Sequence, residues 1–165
     1  MNYRQIRRID ISNGPGIRVS LFVSGCTLHC KGCFNSELWD FASGQPFTDK
    51  EIELICNELS KSHIRGLSIL GGEPLDNAKG LIPLVEVVKS KFGDSKDIWL
   101  YTGYVIDSFD SDSIQAKLIS MCDVVVDGPF IEELKDSSLI FRGSSNQRII
   151  NVKEYYDSNR CNASD

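Results

Sequence analysis

Three cysteines fall within eight residues, Cys26-Thr27-Leu28-His29-Cys30-Lys31-Gly32-Cys33, and no fourth follows at ligand spacing. Thiolates are soft donors that select zinc, Cu(I) or iron–sulfur clusters. A four-iron cube normally takes four of them. Three from one loop leave one iron with an open position, where a small molecule can bind. An open position marks a metal centre that does chemistry, as it does for zinc. Zinc is the competing occupant, because His29 lies inside the loop and Cys₃His is an accepted structural set. Zinc motifs, however, usually present cysteines in two separated pairs, and no second pair exists here. His29, directly before Cys30, also has to turn sharply to reach the same metal, so it reads more simply as a loop residue.

The other three cysteines are scattered singly. Cys56 falls on the apolar stripe Ile52, Ile55, Cys56, Leu59, and Cys122 abuts an apolar run, so both read as small buried hydrophobes. Cys161 lies in a polar tail. A disulfide framework is disfavoured, because no secretion signal is present and three of the six cysteines crowd into one loop.

The elements that have to position this loop alternate strand and helix. Residues 17–24 form an apolar, β-rich strand that leads into the cysteines. Thr48-Asp49-Lys50-Glu51 is a capping box opening a helix to about residue 61. A short strand at 66–70 breaks at Gly71-Gly72-Glu73-Pro74. An amphipathic helix then carries Leu81, Leu84, Val85, Val88 and Phe92. Strands follow at 97–102 and 123–127, with a helix marked by Ile114, Lys117, Leu118 and Met121 between them, and 147–152 is a last strand. Such crossovers imply parallel pairing with right-handed connections. Eight βα units need about 250 residues, which 165 cannot supply. The expected fold is therefore α/β: a single-domain, incomplete TIM-like βα barrel of about four to six mostly parallel strands. Residues 1–152 form the domain, and 153–165 read as a polar tail, frayed or weakly docked.

The conspicuous motifs each follow a predicted strand. In parallel α/β folds ligands bind at the carboxyl ends of strands, so the motifs converge on one face. Composition is that of an ordinary globular chain, 41% hydrophobic and 25% charged. The net charge of −5 and the lack of a basic run argue against nucleic-acid binding. No apolar stretch approaches membrane-spanning length and no signal-peptide h-region opens the chain, so the expectation is a cytoplasmic protein without a membrane partner.

Cys-x3-Cys-x2-Cys followed by an aromatic, here Phe34, resembles the signature of radical S-adenosylmethionine enzymes. Asn13-Gly14-Pro15-Gly16-Ile17-Arg18 is similar to the segment preceding the cysteines in activating enzymes for glycyl-radical proteins. Gly71-Gly72-Glu73-Pro74 matches the second family motif. Tyr101-Thr102-Gly103-Tyr104, Val126-Asp127-Gly128 and Arg142-Gly143-Ser144-Ser145-Asn146-Gln147-Arg148 resemble the subgroup that activates anaerobic ribonucleoside-triphosphate reductases. The likeness covers roughly residues 1–151.

The resemblance implies that Cys26, Cys30 and Cys33 hold a [4Fe–4S] cluster whose fourth iron is chelated by S-adenosylmethionine. Reduction then splits the sulfonium to give a 5′-deoxyadenosyl radical. It implies no catalytic side chain beyond the cluster and its cofactor. Gly71 and Gly72 would permit close backbone approach to the methionine end, and Glu73 would add a charge there or cap the following helix. Gly32, Cys33 and Phe34 would lie against the adenine, with core packing the alternative for Phe34. Lys31 would offset cluster charge or stand solvated. Arg142, Gln147 and Arg148 would serve partner docking or close the site. Tyr101 stands where the larger pyruvate formate-lyase activator has an aspartate of a cation site, so that site is not carried over, and Asp127 alone is weak support for it. The implied partners are the large reductase subunit, whose glycine Cα–H is the substrate, and an external low-potential electron donor. With no further domain in the chain, the partner itself would cover the barrel mouth. An activator of another glycyl-radical enzyme is the alternative reading, along with a small-substrate enzyme such as a deazapurine synthase. From a different class comes a non-catalytic metal-binding or electron-transfer module, although an electron carrier should supply a fourth cysteine.

Overall fold

Alternate residues of the central strands are apolar and fully buried, and that alternation fixes which way the sheet faces. The computed structural model describes residues 1–163. Seven strands make one sheet in the order β3-β1-β2-β4-β5-β6-β7. They are β1 (Asn2–Asp10), β2 (Ile17–Val23), β3 (Gln45–Pro46), β4 (Ile64–Gly71), β5 (Asp97–Tyr101), β6 (Val124–Asp127) and β7 (Arg148–Asn151). β2, β4, β5 and β6 run parallel, whereas β1, β3 and β7 are antiparallel flanks. The helices α1 (Asp49–Leu59), α2 (Ala78–Phe92) and α3 (Ile114–Met121) link the parallel strands. Their apolar faces, including Ile55, Leu59, Leu81, Leu84, Val85 and Leu118, pack on Val19, Leu21, Leu67, Ile69, Ile98 and Leu100.

The fold is α/β, and the sheet is open: β3 and β7 end it without meeting, and it has seven strands where four to six were expected. The antiparallel β7 has a simple cause. The segment 128–147 carries only a short 3-10 turn, so it cannot cross over as a helix does. It folds across the carboxyl ends of the strands instead, and β7 returns beside β6. The strand β1 escapes pattern reading because Arg4, Arg7 and Arg8 interrupt its alternation; its pairing with β2 defines it.

The capping box at α1 forms as read, with Glu51 Oε2 accepting from the Thr48 backbone N–H at 2.6 Å and Thr48 Oγ1 accepting from Lys50 N. The polar tail is not frayed over its described length. It forms α4 (Val152–Ala163), with Val152 buried and Tyr155 and Tyr156 packed on the core. Its last two residues, 164 and 165, lie outside the described residues.

The sheet face opposite the helices mixes polar side chains such as Arg18, Ser20 and Ser68 with the aromatic Phe22 and Trp99, and these are all buried. Arg18, fully inaccessible, donates from Nε to Ser68 Oγ (2.7 Å), from Nη1 to the Pro15 carbonyl (3.1 Å) and from Nη2 to the Leu67 carbonyl (3.0 Å), and it pairs with Asp97 at 2.6 Å. A buried guanidinium persists only when its donors are satisfied in this way. The network ties the Asn13–Gly16 loop to the sheet, beneath the site described next.

Candidate functional site

A cavity of about 370 Å³ opens at the carboxyl ends of the parallel strands, within the size range of small-molecule sites. Cys26, Cys30 and Cys33 line it together with Gly71, Gly72 and Glu73 after β4 and with Tyr101, Thr102 and Gly103 after β5. The segment 128–147 supplies Phe130, Phe141, Arg142, Gly143 and Gln147 as the rim. The convergence expected from motifs at strand ends therefore occurs.

The cysteine loop is held by its neighbours rather than by its own secondary structure. Gly25 N donates to the Leu38 carbonyl and Cys26 N to the Trp39 carbonyl, at 2.7 and 3.0 Å. Thr27 gives both its backbone N–H and its hydroxyl to Asp76 Oδ2, each at 2.9 Å, and Tyr104 hydroxyl reaches Asp76 Oδ1 at 2.8 Å. Burial raises the Cys26 thiol pKa, opposed by the His29 and Leu28 N–H groups and reinforced by the nearby Glu73 and Asp76 charges. A metal at this position thus displaces a proton. Asn35 N donates to Cys33 Sγ at 3.4 Å. His29 does not join the thiols. Its ring stacks on Trp39 with centroids 4.2 Å apart, and its backbone sits at φ 49°. Among the described residues, no three His, Cys, Asp or Glu side chains gather at the spacing of a single metal ion.

Among the described residues five buried donors lack a partner, the Ser20 and Ser24 hydroxyls and three others, Trp39 Nε1, the Tyr101 hydroxyl and Arg142 Nε. The last three residues line the cavity. Native proteins rarely leave buried donors unpaired. Three soft thiols and three waiting donors fit an occupant rich in acceptors, as an iron–sulfur cluster with an anionic ligand is.

The family model described as a 4Fe-4S single cluster domain matches residues 12–150. The anaerobic ribonucleoside-triphosphate reductase-activating protein of Escherichia coli K12 is 43% identical over 157 residues, covering 93% of this chain and all of that protein. Proteins of the same name from Vibrio cholerae O1 and enterobacteria phage T4 are 47% and 42% identical, over 90% of this chain and 97% and 93% of theirs. The chain belongs to this family of reductase-activating proteins.

Within this family member, the residues singled out from the sequence take distinct places. Gly71 and Gly72 line the cavity, but their small size answers a crossing of backbones. A Cβ on Gly72 would strike the Gly25 backbone, and one on Gly71, at φ 113°, would strike Val23. The Glu73 carboxylate turns into the protein. Oε1 accepts from Leu75 N (2.9 Å) and Thr102 Oγ1 (2.6 Å), and Oε2 from Gly103 N (2.7 Å), so of its two expected roles it fills the capping one. Burial nonetheless pushes its pKa up to about 7. Phe34 is 63% exposed and leans on Phe130 at 5.1 Å, a rim residue rather than a core one. Gly32 sits on the outer turn beside Glu132 and does not line the cavity. Lys31 is solvated, about 3.8 Å from Glu132.

Gln147 organises the rim, accepting from Gly143 N and Ser144 N and donating to the Gly128 carbonyl, while Arg142 Nη1 donates to the Gln147 carbonyl. Arg148 stays outside the cavity lining and clamps Asp127 through Nε (2.9 Å) and Nη2 (2.6 Å), with Asp107 also within reach. Asp127 also accepts from Ile106 N, so its carboxylate is fully used inside the fold. Cys56 and Cys122 are buried, the latter with its thiol pushed up to about 12, and Cys161 is exposed. Sequence reasoning missed Asp76 and Trp39. Asp76 stands three residues after Glu73, just past the Gly71-Gly72-Glu73-Pro74 motif, a readable spacing; Trp39 carried no signal.

Proposed function

We propose that this chain activates anaerobic ribonucleoside-triphosphate reductase by installing a glycyl radical on its large subunit. When bound, a [4Fe–4S] cluster supplies the electron that splits S-adenosylmethionine, and the 5′-deoxyadenosyl radical so formed removes a glycine hydrogen. The observation that carries the reading is the one cavity lined by Cys26, Cys30 and Cys33 together with the strand ends, in a chain of this family.

Cys26, Cys30 and Cys33 would hold the cluster, and with only three protein ligands it would keep an open position for the cofactor. The cavity edge at Gly71 and Gly72 and the backbone of Cys33 and Phe34 hold S-adenosylmethionine. Glu73 acts from behind, fixing Thr102 and Gly103 so that this edge keeps its shape. Asp76 ties the cysteine loop to the same turn. Such rigid placement lets cleavage and hydrogen removal occur in one fixed geometry. Arg142 and Gln147 close the rim, and the reductase covers what remains open, keeping water and stray hydrogen donors away. The site works in the cytoplasm, where thiols stay reduced, and takes its electron from an external low-potential donor.

The test mixes the anaerobically reconstituted protein, S-adenosylmethionine, a reductant and the large reductase subunit. A glycyl-type doublet by electron paramagnetic resonance is expected, together with its loss in Cys30→Ala. Methionine formation without any radical on the reductase overturns the reading.

A further inference from the structure

Trp39 and Cys26 are the two residues that line both the cavity and a second recess on the outer side of the cysteine loop. The tryptophan is fixed from two directions. Its carbonyl accepts from Cys26 N at 3.0 Å, and its ring stacks on His29, the residue preceding Cys30, with planes 10° apart. The indole is therefore held beside the stretch that carries two of the three thiols. Its single polar atom, Nε1, is buried without a partner. The Ser20 and Ser24 hydroxyls, Tyr101 and Arg142 also present unpaired donors, but only Trp39 among these residues is stacked on a residue of the cysteine loop itself.

We propose that Trp39 Nε1–H donates a hydrogen bond to a sulfur of the cluster held by Cys26, Cys30 and Cys33 and so sets its reduction potential. This rests on the cluster reading of the cysteine loop given above. An added electron makes the cluster sulfurs more negative and strengthens any hydrogen bond they accept. Hydrogen bonds to the sulfurs are one of the protein's means of setting potential. The indole N–H thus favours the reduced cluster, making it easier for a donor to load.

Trp39→Phe keeps an aromatic ring against His29 and deletes the N–H. In the reconstituted protein, iron and sulfide content should stay unchanged while a redox titration shows a more negative midpoint. Reduction should weaken several-fold, tenfold corresponding to about 59 mV for a one-electron couple. Wild-type protein labelled with ¹⁵N in its indole nitrogens should show a weak ¹⁵N hyperfine coupling to the reduced cluster, retained in Trp99→Phe. That second measurement decides the matter even if Trp39→Phe does not fold. An unshifted midpoint, or a shift without the ¹⁵N coupling, overturns the inference. Failure of the underlying reading looks different: the wild-type chain then takes up no four-iron cluster at all, and the inference falls with it.

Discussion

Glu73 and Asp127, the two most buried carboxylates near the cavity, are held by opposite means. Asp127 meets a guanidinium, whereas Glu73 meets only neutral donors. With no cation to offset burial, the folded pKa of Glu73 rises from 4.5 to about 7. Between those values the folded chain retains a proton that the unfolded chain has released. The stability it contributes is full below pH 4.5 and is lost as pH climbs through about 7. Urea unfolding of the cluster-free chain across this window should show that decline, and Glu73→Gln should flatten it. For Asp127, replacing Arg148 with Met leaves a buried charge without its partner. The loss should be about 3 kcal/mol by urea unfolding. Adding Asp127→Asn should recover part of it, because the double variant no longer buries that charge. Asp127 was legible as a residue at a strand end, yet its guanidinium partner was not. Arg148 lies on a strand whose antiparallel return no local pattern signals.

At the scale of elements, the site depends on how closely the turn after β4 crosses the start of the cysteine loop. Gly72 meets Gly25 there, and Glu73 N donates to the Gly25 carbonyl at 2.8 Å. Gly72→Ala forces the two backbones apart, an overpacking that costs about 1–3 kcal/mol in typical cores. Here it should also move Cys26, so reconstituted iron should fall well below the wild-type content by colorimetric assay. Full iron loading in that variant would show that the crossing does not position the loop. The central elements were readable because apolar period and caps agreed, as at Thr48 and Glu51. The tail helix went unread, although Val152, Tyr155 and Tyr156 keep the i, i+3, i+4 spacing of a docked face. Its many polar residues masked that stripe. The rim segment was not readable, because its order comes from side-chain bonds such as those of Gln147, which have no sequence period.

The whole molecule leaves the cavity open on the side where the sheet does not close. The exposed apolar residues of the rim offer a surface for a covering partner. Ile140 is 69% exposed between the cavity-lining Leu139 and Phe141. Ile140→Asp should weaken engagement of the reductase about tenfold, read as lower glycyl-radical yield at limiting protein, a loss typical of an apolar contact at an interface centre. Methionine release by the isolated protein should stay unchanged, since the substitution does not touch the cysteine loop. Equal loss of both activities would place Ile140 in the cavity's own architecture.

The proposed activity rests on a cube bonded by three thiolates, with its remaining iron left to a small molecule. Mössbauer spectroscopy of ⁵⁷Fe-reconstituted protein, with and without S-adenosylmethionine, addresses that arrangement most directly. One iron of four should change its isomer shift when the compound is added, and the other three should not. Four irons indifferent to the addition would contradict the account.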